Sequence, residues 1–268
     1  MTEFRVTLLQ IPCIEGNREK NYDRVWKLLE SHPYNDPLEF IVLPELFAIG
    51  FRHEDYGKLG PGIPGPTENF LHKLAEEHGV YTIATGIESA GSKWYNTMLV
   101  AGPNGKTIGK YQKIHPFQEE KAVFKGGERL VIFDIEGLKV GAQICYDVRF
   151  PEISRKLALE GAELFIIPAA FPDPRGEHWD TLIRARAIEN QVFVAATNRM
   201  GLSFDGKTYF GHTQFVDPWG VRRTRINSEE RVVSDVGNTD AIEGVRNQIT
   251  VYQDRVSEAY DRFEIIKA

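Results

Sequence analysis

The chain has 268 residues, 42% hydrophobic and 26% charged, a balance suited to a packed globular fold and unlike that of a disordered or fibrous chain. Its 38 acidic and 32 basic residues leave a formal net charge of -6, which argues against nucleic acid or an anionic membrane surface as the main partner, because both require a basic footprint. Two cysteines, Cys13 and Cys145, cannot build a disulfide framework and point to a reducing compartment, with cytoplasm the default.

In chain order, residues 4–10 alternate loosely and end before Pro12, the pattern of a strand entering a loop. Residues 1–10 carry Glu3 and Arg5 among their apolar positions and so lack the long apolar core of a secretory leader; nowhere do roughly 18 consecutive apolar residues offer a membrane span. Over residues 17–32, Tyr22, Val25, Trp26 and Leu29 recur at helical spacing, Asn17 suits the cap and Pro33 follows the end. The apolar run 40–43 then meets Pro44 and Glu45, as a buried strand does at a sheet edge, which places Glu45 at a strand end. Residues 67–78 read as a second helix, with Phe70, Leu71, Leu74 and Ala75 on one stripe and Gly79 as its stop. Strand-like runs follow at 80–84, 97–101 and 107–111, the last two joined through Pro103, Asn104 and Gly105. A further pair, 130–133 and 140–144, turns at Glu136 and Gly137, and its second strand delivers Cys145.

Beyond that point Pro151 and Glu152 open a helix reaching about Gly161, since proline suits the first helical position and an acid suits the positive helix terminus. Residues 164–168 read as strand, 179–190 as helix and 192–197 as strand, and the tail alternates strands with a helix over 240–248. No linker, repeat or low-complexity stretch interrupts the pattern, so residues 1–268 are expected to form a single α/β domain.

Cys145 closes an apolar strand and precedes a polar turn into a helix, where a thiol is held rigidly and nearby backbone N–H groups favour a thiolate or an oxyanion. That setting suits a nucleophile, whereas an isolated cysteine is more often a small buried hydrophobe. Cys13, beside Pro12, reads as structural, and neither thiol stands at metal-ligand spacing from a histidine or another cysteine. The seven histidines include no H-E-x-x-H pair, so a metallohydrolase has no support and no metal is expected. His115 and His178 are each candidate bases for Cys145, but the surroundings of Cys145 match no cysteine-protease signature, which favours a structural or substrate-lining role for both. Residues 60–65 formally fit a dinucleotide-binding glycine pattern, yet they follow no strand, and Pro61 and Pro64 remove N–H groups that a pyrophosphate needs. Read alone, Glu119, Glu120 and Lys121 are a solvated charge cluster.

The combination changes these readings. Leu43, Pro44 and Glu45, then Tyr111, Gln112, Lys113, Ile114 and His115, then Ile144, Cys145, Tyr146 and Asp147 together resemble the glutamate, lysine and cysteine motifs of the nitrilase superfamily of carbon-nitrogen hydrolases, in the same order and at family-like separation. The resemblance runs from the first strand to about Tyr260 and includes residues 184–190 and 211–220. Residues 145–152, with His178, Trp179 and residues 198–201, resemble the amidase branch that includes omega-amidases. Family members share a second glutamate after the lysine motif; matching Glu120, Lys121 and Phe124 to that pattern selects Glu120, with Glu119 as the alternative. The resemblance implies a four-layer α-β-β-α sandwich and at least a homodimer, formed in part by the helix after Cys145. Composition and periodicity alone give only α/β.

An amide carbonyl is a poor electrophile and ammonia leaves only once protonated, so such a site needs a nucleophile, a proton carrier and oxyanion donors. The resemblance assigns these roles to Cys145 as nucleophile, Glu45 as acid and base in both halves of a thioester mechanism, and Lys113 with the backbone N–H of Tyr146 as oxyanion donors. Glu120 would orient Lys113 or the substrate nitrogen, and no cofactor is required. The expected partner is a small-molecule amide, above all a dicarboxylic acid monoamide such as 2-oxoglutaramate, whose free carboxylate would need charge-assisted hydrogen bonds. Arg199, at a strand end, and Arg175, after Pro174, are the candidates to supply them; His178 is a candidate lining residue, and Arg149, in the Cys145 turn, reads as structural. A nitrilase or N-carbamoyl amidase would use the same residues. A non-catalytic scaffold would be expected to have lost Glu45, Lys113 or Cys145, and all three are present. A redox thiol protein would need a resolving cysteine near Cys145, and no C-x-x-C occurs.

Overall fold

The structure, a computed structural model, describes residues 1–34 and 38–260. Nine strands come first: β1 (Glu3–Gln10), β2 (Glu39–Val42), β3 (Tyr81–Ala90), β4 (Lys93–Ala101), β5 (Thr107–Gln112), β6 (Ile132–Ile135), β7 (Leu138–Ala142), β8 (Leu164–Ala169) and β9 (Phe193–Asn198). A hairpin of β10 (Met200–Leu202) and β11 (Thr208–Phe210) precedes β12 (Gln214–Val216), β13 (Arg222–Arg225) and β14 (Arg231–Asn238). Between them lie α1 (Arg18–Leu29), the short α2 (Tyr56–Leu59), α3 (Pro66–His78), α4 (Pro151–Leu159) and α5 (Gly176–Asn190), with α6 (Asp240–Gln248) after the last strand.

Two six-stranded sheets share one plan, in the orders β14-β1-β2-β3-β4-β5 and β13-β12-β9-β8-β7-β6. The centre of each is a parallel trio, β1-β2-β3 in one and β7-β8-β9 in the other, and antiparallel neighbours extend both ends. Parallel pairing demands crossover connections. Helices α1 and α3 make them for the first sheet, α4 and α5 for the second.

Because helices cover one face of each sheet and the other sheet covers the opposite face, the parallel strands are apolar on both sides. Phe4, Val6, Leu8, Phe40 and Val42 join the core between the sheets, whereas Leu9, Ile41 and Leu43 pack with Val25 and Leu29 of α1 and Leu71 and Leu74 of α3. Across the sheet interface the Phe4 ring meets Phe193 edge-on at 5.4 Å, and Phe193 stacks on Phe215 at 5.5 Å. Such pairs add about 0.5–1.5 kcal/mol beyond their buried area. Gly237, paired with Phe4 in the β1–β14 ladder, makes room for that ring: a Cβ there would lie 2.3 Å from its tip. The result is the expected helix-sheet-sheet-helix layering.

Most expected elements lie where the sequence places them. Asn17 caps α1 by accepting the Lys20 N–H, and the left-handed Gly79 ends α3. Residues 60–65 form no part of a strand or helix. Two differences bear on the site. Strands β3 and β4 run longer than their apolar cores, pairing out to Ala90 and Lys93. Strand β7 stops at Ala142, so Cys145 is not delivered by a strand: it opens a short 3-10 turn, Cys145–Arg149, after Gln143 N donates to Ile166 O at 3.2 Å. Among the described residues, no helix is long and apolar enough to cross a membrane.

Candidate active site

The ends of the parallel strands from both sheets meet at one place. Glu45 N donates to Ala169 O at 3.3 Å, and Thr197 Oγ1 donates to Leu43 O at 3.2 Å, joining the segment after β2 to the ends of β8 and β9. Clefts beyond the carboxyl ends of parallel strands are where α/β sheets bind ligands. Here the cleft gathers Glu45 after β2, Lys113 after β5 and Cys145 after β7.

These side chains are buried together. Lys113 Nζ lies 2.7 Å from Glu45 Oε1 and 2.9 and 3.1 Å from the two Glu120 oxygens. Glu45 Oε1 also accepts Asn96 Nδ2 at 2.8 Å, and its Oε2 accepts the Ala170 N–H at 3.0 Å. The Glu120 side chain is 8% exposed and reaches the lysine; that of Glu119 is 76% exposed and faces Lys207. Cys145 has φ +46°, and so does Leu46, next to Glu45, whose N–H donates to Thr85 Oγ1 at 2.7 Å. A non-glycine residue in this region is uncommon and strained, and such conformations cluster at functional sites.

Burial and neighbouring charge shift the ionisation of the group. The Cys145 thiol is pushed well above its ordinary range by burial first and by the Glu45 carboxylate next, with the Lys113 cation opposing. Burial works against the Lys113 cation, but Glu120 and Glu45 outweigh it and hold its pKa well above the usual lysine value. Burial raises Glu120, the Lys113 cation pulls it back, and the Glu45 charge raises it further. The thiol is therefore the resting form at neutral pH, with an acceptor beside it.

Asp147 ties the turn to the lysine segment. Its Oδ2 accepts the Ile144 N–H at 3.1 Å and the Tyr111 hydroxyl at 2.7 Å, and its Oδ1 accepts the His115 N–H at 3.0 Å and lies 2.9 Å from His115 Nδ1. Above Cys145 opens a cavity of about 390 Å³ whose wall includes Glu120, Tyr146, Arg149, Phe171, Arg175 and His53.

The carbon-nitrogen hydrolase profile matches residues 5–236. The chain belongs to the carbon-nitrogen hydrolase family. It is an enzyme that acts on carbon-nitrogen bonds, and its relatives include amidases. A 2-oxoglutaramate amidase of Bacillus subtilis is 33% identical over 96% of this chain and 100% of that protein. Omega-amidase NIT2 of Homo sapiens is 31% identical over 97% of this chain and 98% of its own. Among solved structures, the protein XC1258 from Xanthomonas campestris, a CN-hydrolase superfamily protein with an arsenic adduct in its active site, superposes with TM-score 0.88 at 28% identity, covering 100% of both chains.

In this carbon-nitrogen hydrolase the sequence-expected residues separate into two groups. Glu45, Lys113, Glu120 and Cys145 come together, with Tyr146 and Arg175 on the pocket wall. Arg199 does not line the pocket: it is buried, its Nη1 lies 2.7 Å from Glu15 Oε1, and its guanidinium sits 4.3 Å over the Tyr209 ring. His178 lies outside the pocket lining, its Nδ1 3.3 Å from Arg149 Nη2. Arg149, read from sequence as structural, lines the pocket instead and lies over the Phe171 ring at 5.0 Å. His115 is occupied by Asp147 and stacks on Phe150 at 3.5 Å. Sequence reasoning missed Asn96 and Asp147 as members of the site; Asp147 stood inside the cysteine motif, whereas Asn96 carried no local signal.

Proposed function

We propose that this chain is an omega-amidase, hydrolysing the terminal amide of a short dicarboxylic acid monoamide such as 2-oxoglutaramate through a thioester on Cys145. The observation that carries the reading is the placement of two arginines in the wall of the Cys145 pocket. Among the described residues neither Arg149 nor Arg175 has a carboxylate at ion-pair distance, and each lies over an aromatic ring, Phe171 and Phe117 respectively. An arginine fork held this way suits a free carboxylate at the far end of a small substrate. The names of the B. subtilis and H. sapiens relatives support the same substrate class.

Because Cys145 rests as a thiol, its attack on the amide carbon is coupled to proton transfer to Glu45. Lys113 has three N–H donors; Glu45 and Glu120 engage it from two sides, and a remaining donor, with the Tyr146 N–H at the open start of the turn, meets the oxyanion. Collapse breaks the carbon-nitrogen bond as Glu45 returns the proton to nitrogen, and ammonia leaves. Water then attacks the thioester, Glu45 takes its proton and gives one back to the departing sulfur. The products are a carboxylate and ammonium. Glu120 holds Lys113 throughout.

We further infer that residues 1–268 act as one domain, in the cytoplasm, as a homodimer formed partly by α4. The free thiols of Cys13 and Cys145 support a reducing compartment. Exposed Leu159 on α4, Ile188 on α5, and Trp219 and Ile249 support an apolar contact surface. A single species of monomer mass in sedimentation at assay concentration, fully active, contradicts the dimer.

Ammonia release from 2-oxoglutaramate, a matched nitrile and an N-carbamoyl amino acid tests the function. The monoamide should give the highest kcat/KM. Turnover confined to the nitrile or the carbamoyl compound overturns the substrate class while leaving the catalytic group in place.

A further inference from the structure

Strand β4 contributes a neutral side chain to the site. Asn96 is buried, and its Nδ2 donates at 2.8 Å to the same Glu45 oxygen that receives Lys113 Nζ at 2.7 Å. Its backbone serves the other partner: Asn96 O accepts the Lys113 N–H at 2.9 Å. One residue thus fixes both the main chain of the lysine and the carboxylate of the glutamate.

The far end of the amide is more telling. Asn96 Oδ1 is buried and has no hydrogen-bond partner among the described residues. Buried polar atoms are rarely left unpaired, and each instance asks for a reason. Turning the amide over would set Oδ1 against Glu45 Oε1, two acceptors with no hydrogen between them. The orientation is therefore dictated by Glu45, at the expense of the oxygen behind it.

We propose that Asn96 is a positioning residue that holds Glu45 as a carboxylate aimed at the Cys145 thiol. The proposal rests on Glu45 being the base. Lys113 cannot do this alone, since it is shared with Glu120 and commits its remaining donor to the oxyanion. The ionisable groups around Glu45 are Lys113, Glu120, Cys145 and the phenols of Tyr56 and Tyr209, both raised chiefly by burial. Of these Lys113 is the cation and Glu120 a second acid, and the thiol and phenols are neutral at neutral pH. With Asn96 removed, the carboxylate keeps Lys113 and the Ala170 N–H and loses its third donor.

The test uses Asn96→Leu, which keeps the volume and removes the donor, and Asn96→Ala. Two pH profiles are recorded for each folded variant: kcat/KM on the monoamide, and the rate of Cys145 labelling by iodoacetamide. Both acid limbs should move to higher pH by about one unit, since a hydrogen bond to the charged form has been lost, while KM changes by less than about threefold. The labelling arm needs no substrate, so it stands even if the substrate class is wrong. A uniform fall in rate with unmoved acid limbs, unchanged activity, or failure of both variants to fold overturns the proposal.

Discussion

The Tyr111 hydroxyl donates to Asp147 Oδ2 across 2.7 Å, tying the strand that leads to Lys113 to the turn that carries Cys145. Asp147 is fully buried and takes further bonds from the His115 and Ile144 N–H groups. It is the mechanical link between nucleophile and lysine, two segments 32 residues apart in sequence, Lys113 against Cys145.

Replacing Asp147 by Asn should therefore cost both stability and rate. The amide turns an N–H toward donors, leaving at least one buried N–H or hydroxyl unpaired, at about 1–3 kcal/mol for each such group. The urea midpoint should fall accordingly, and kcat should drop with it because Cys145 and Lys113 lose their common anchor. Tyr111→Phe, which removes one bond of the network, should lower the midpoint less. Wild-type kcat in Asp147→Asn would show that the link is structural ornament.

Cys145→Ala should abolish turnover without lowering the melting temperature, since the thiol adds little packing and alanine meets the same left-handed backbone strain as cysteine. Cys13→Ser should leave kcat nearly intact. The Cys13 thiol is pushed up to about 12, chiefly by burial, which makes it unreactive near neutrality. Loss of activity in the Cys13 variant, with Cys145→Ala active, would invert the assignment.

The fold was legible where periodicity and caps agree. Asn17 and Gly79 mark real helix ends, and the 240–248 helix is matched to the residue. The outer parts of β3 and β4 were not, because Glu88, Ser89 and Lys93 break the apolar run; they pair as strand because the hairpin ladder satisfies their backbone whatever the side chains. The acidic and basic members of the site were readable from their motifs. The arginines were not. Nothing in the neighbourhood of Arg199 reveals that Glu15, 184 residues earlier, occupies its guanidinium, or that Arg149 has no such partner among the described residues. Asn96 is a neutral residue in a strand and acquires meaning only when Glu45 is folded against it.

The two carboxylates should separate kinetically. Glu45→Gln can neither accept nor return a proton, so acylation and deacylation both fail and no acyl-enzyme accumulates. Glu120→Gln leaves Glu45 and Cys145 in place and should slow turnover while still allowing acylation. The pH sign follows from the raised thiol. In Glu45→Gln, iodoacetamide labelling of Cys145 should climb by about tenfold for each pH unit through neutrality, because only the thiolate reacts. A labelling rate flat with pH in that variant contradicts the thiol resting state.

Arg149→Met and Arg175→Met test the carboxylate fork. Each should lower kcat/KM for the monoamide acid by about tenfold to a hundredfold, the worth of one charge-assisted hydrogen bond, and should change kcat/KM for its neutral methyl ester far less. Wild-type enzyme should prefer the acid over the ester by a similar factor. Equal losses on acid and ester would make the arginines structural.

The central claim is that Cys145 forms a thioester with the acyl group of a monoamide acid. Acid-quenching the wild-type enzyme during turnover of 2-oxoglutaramate, followed by mass spectrometry of the peptide containing Cys145, tests it directly. The account predicts a mass increase equal to the acyl group less the thiol hydrogen on that peptide, absent in Cys145→Ala, with one ammonia released for each carboxylate formed. An unmodified Cys145 peptide together with undiminished ammonia release from Cys145→Ala would contradict it.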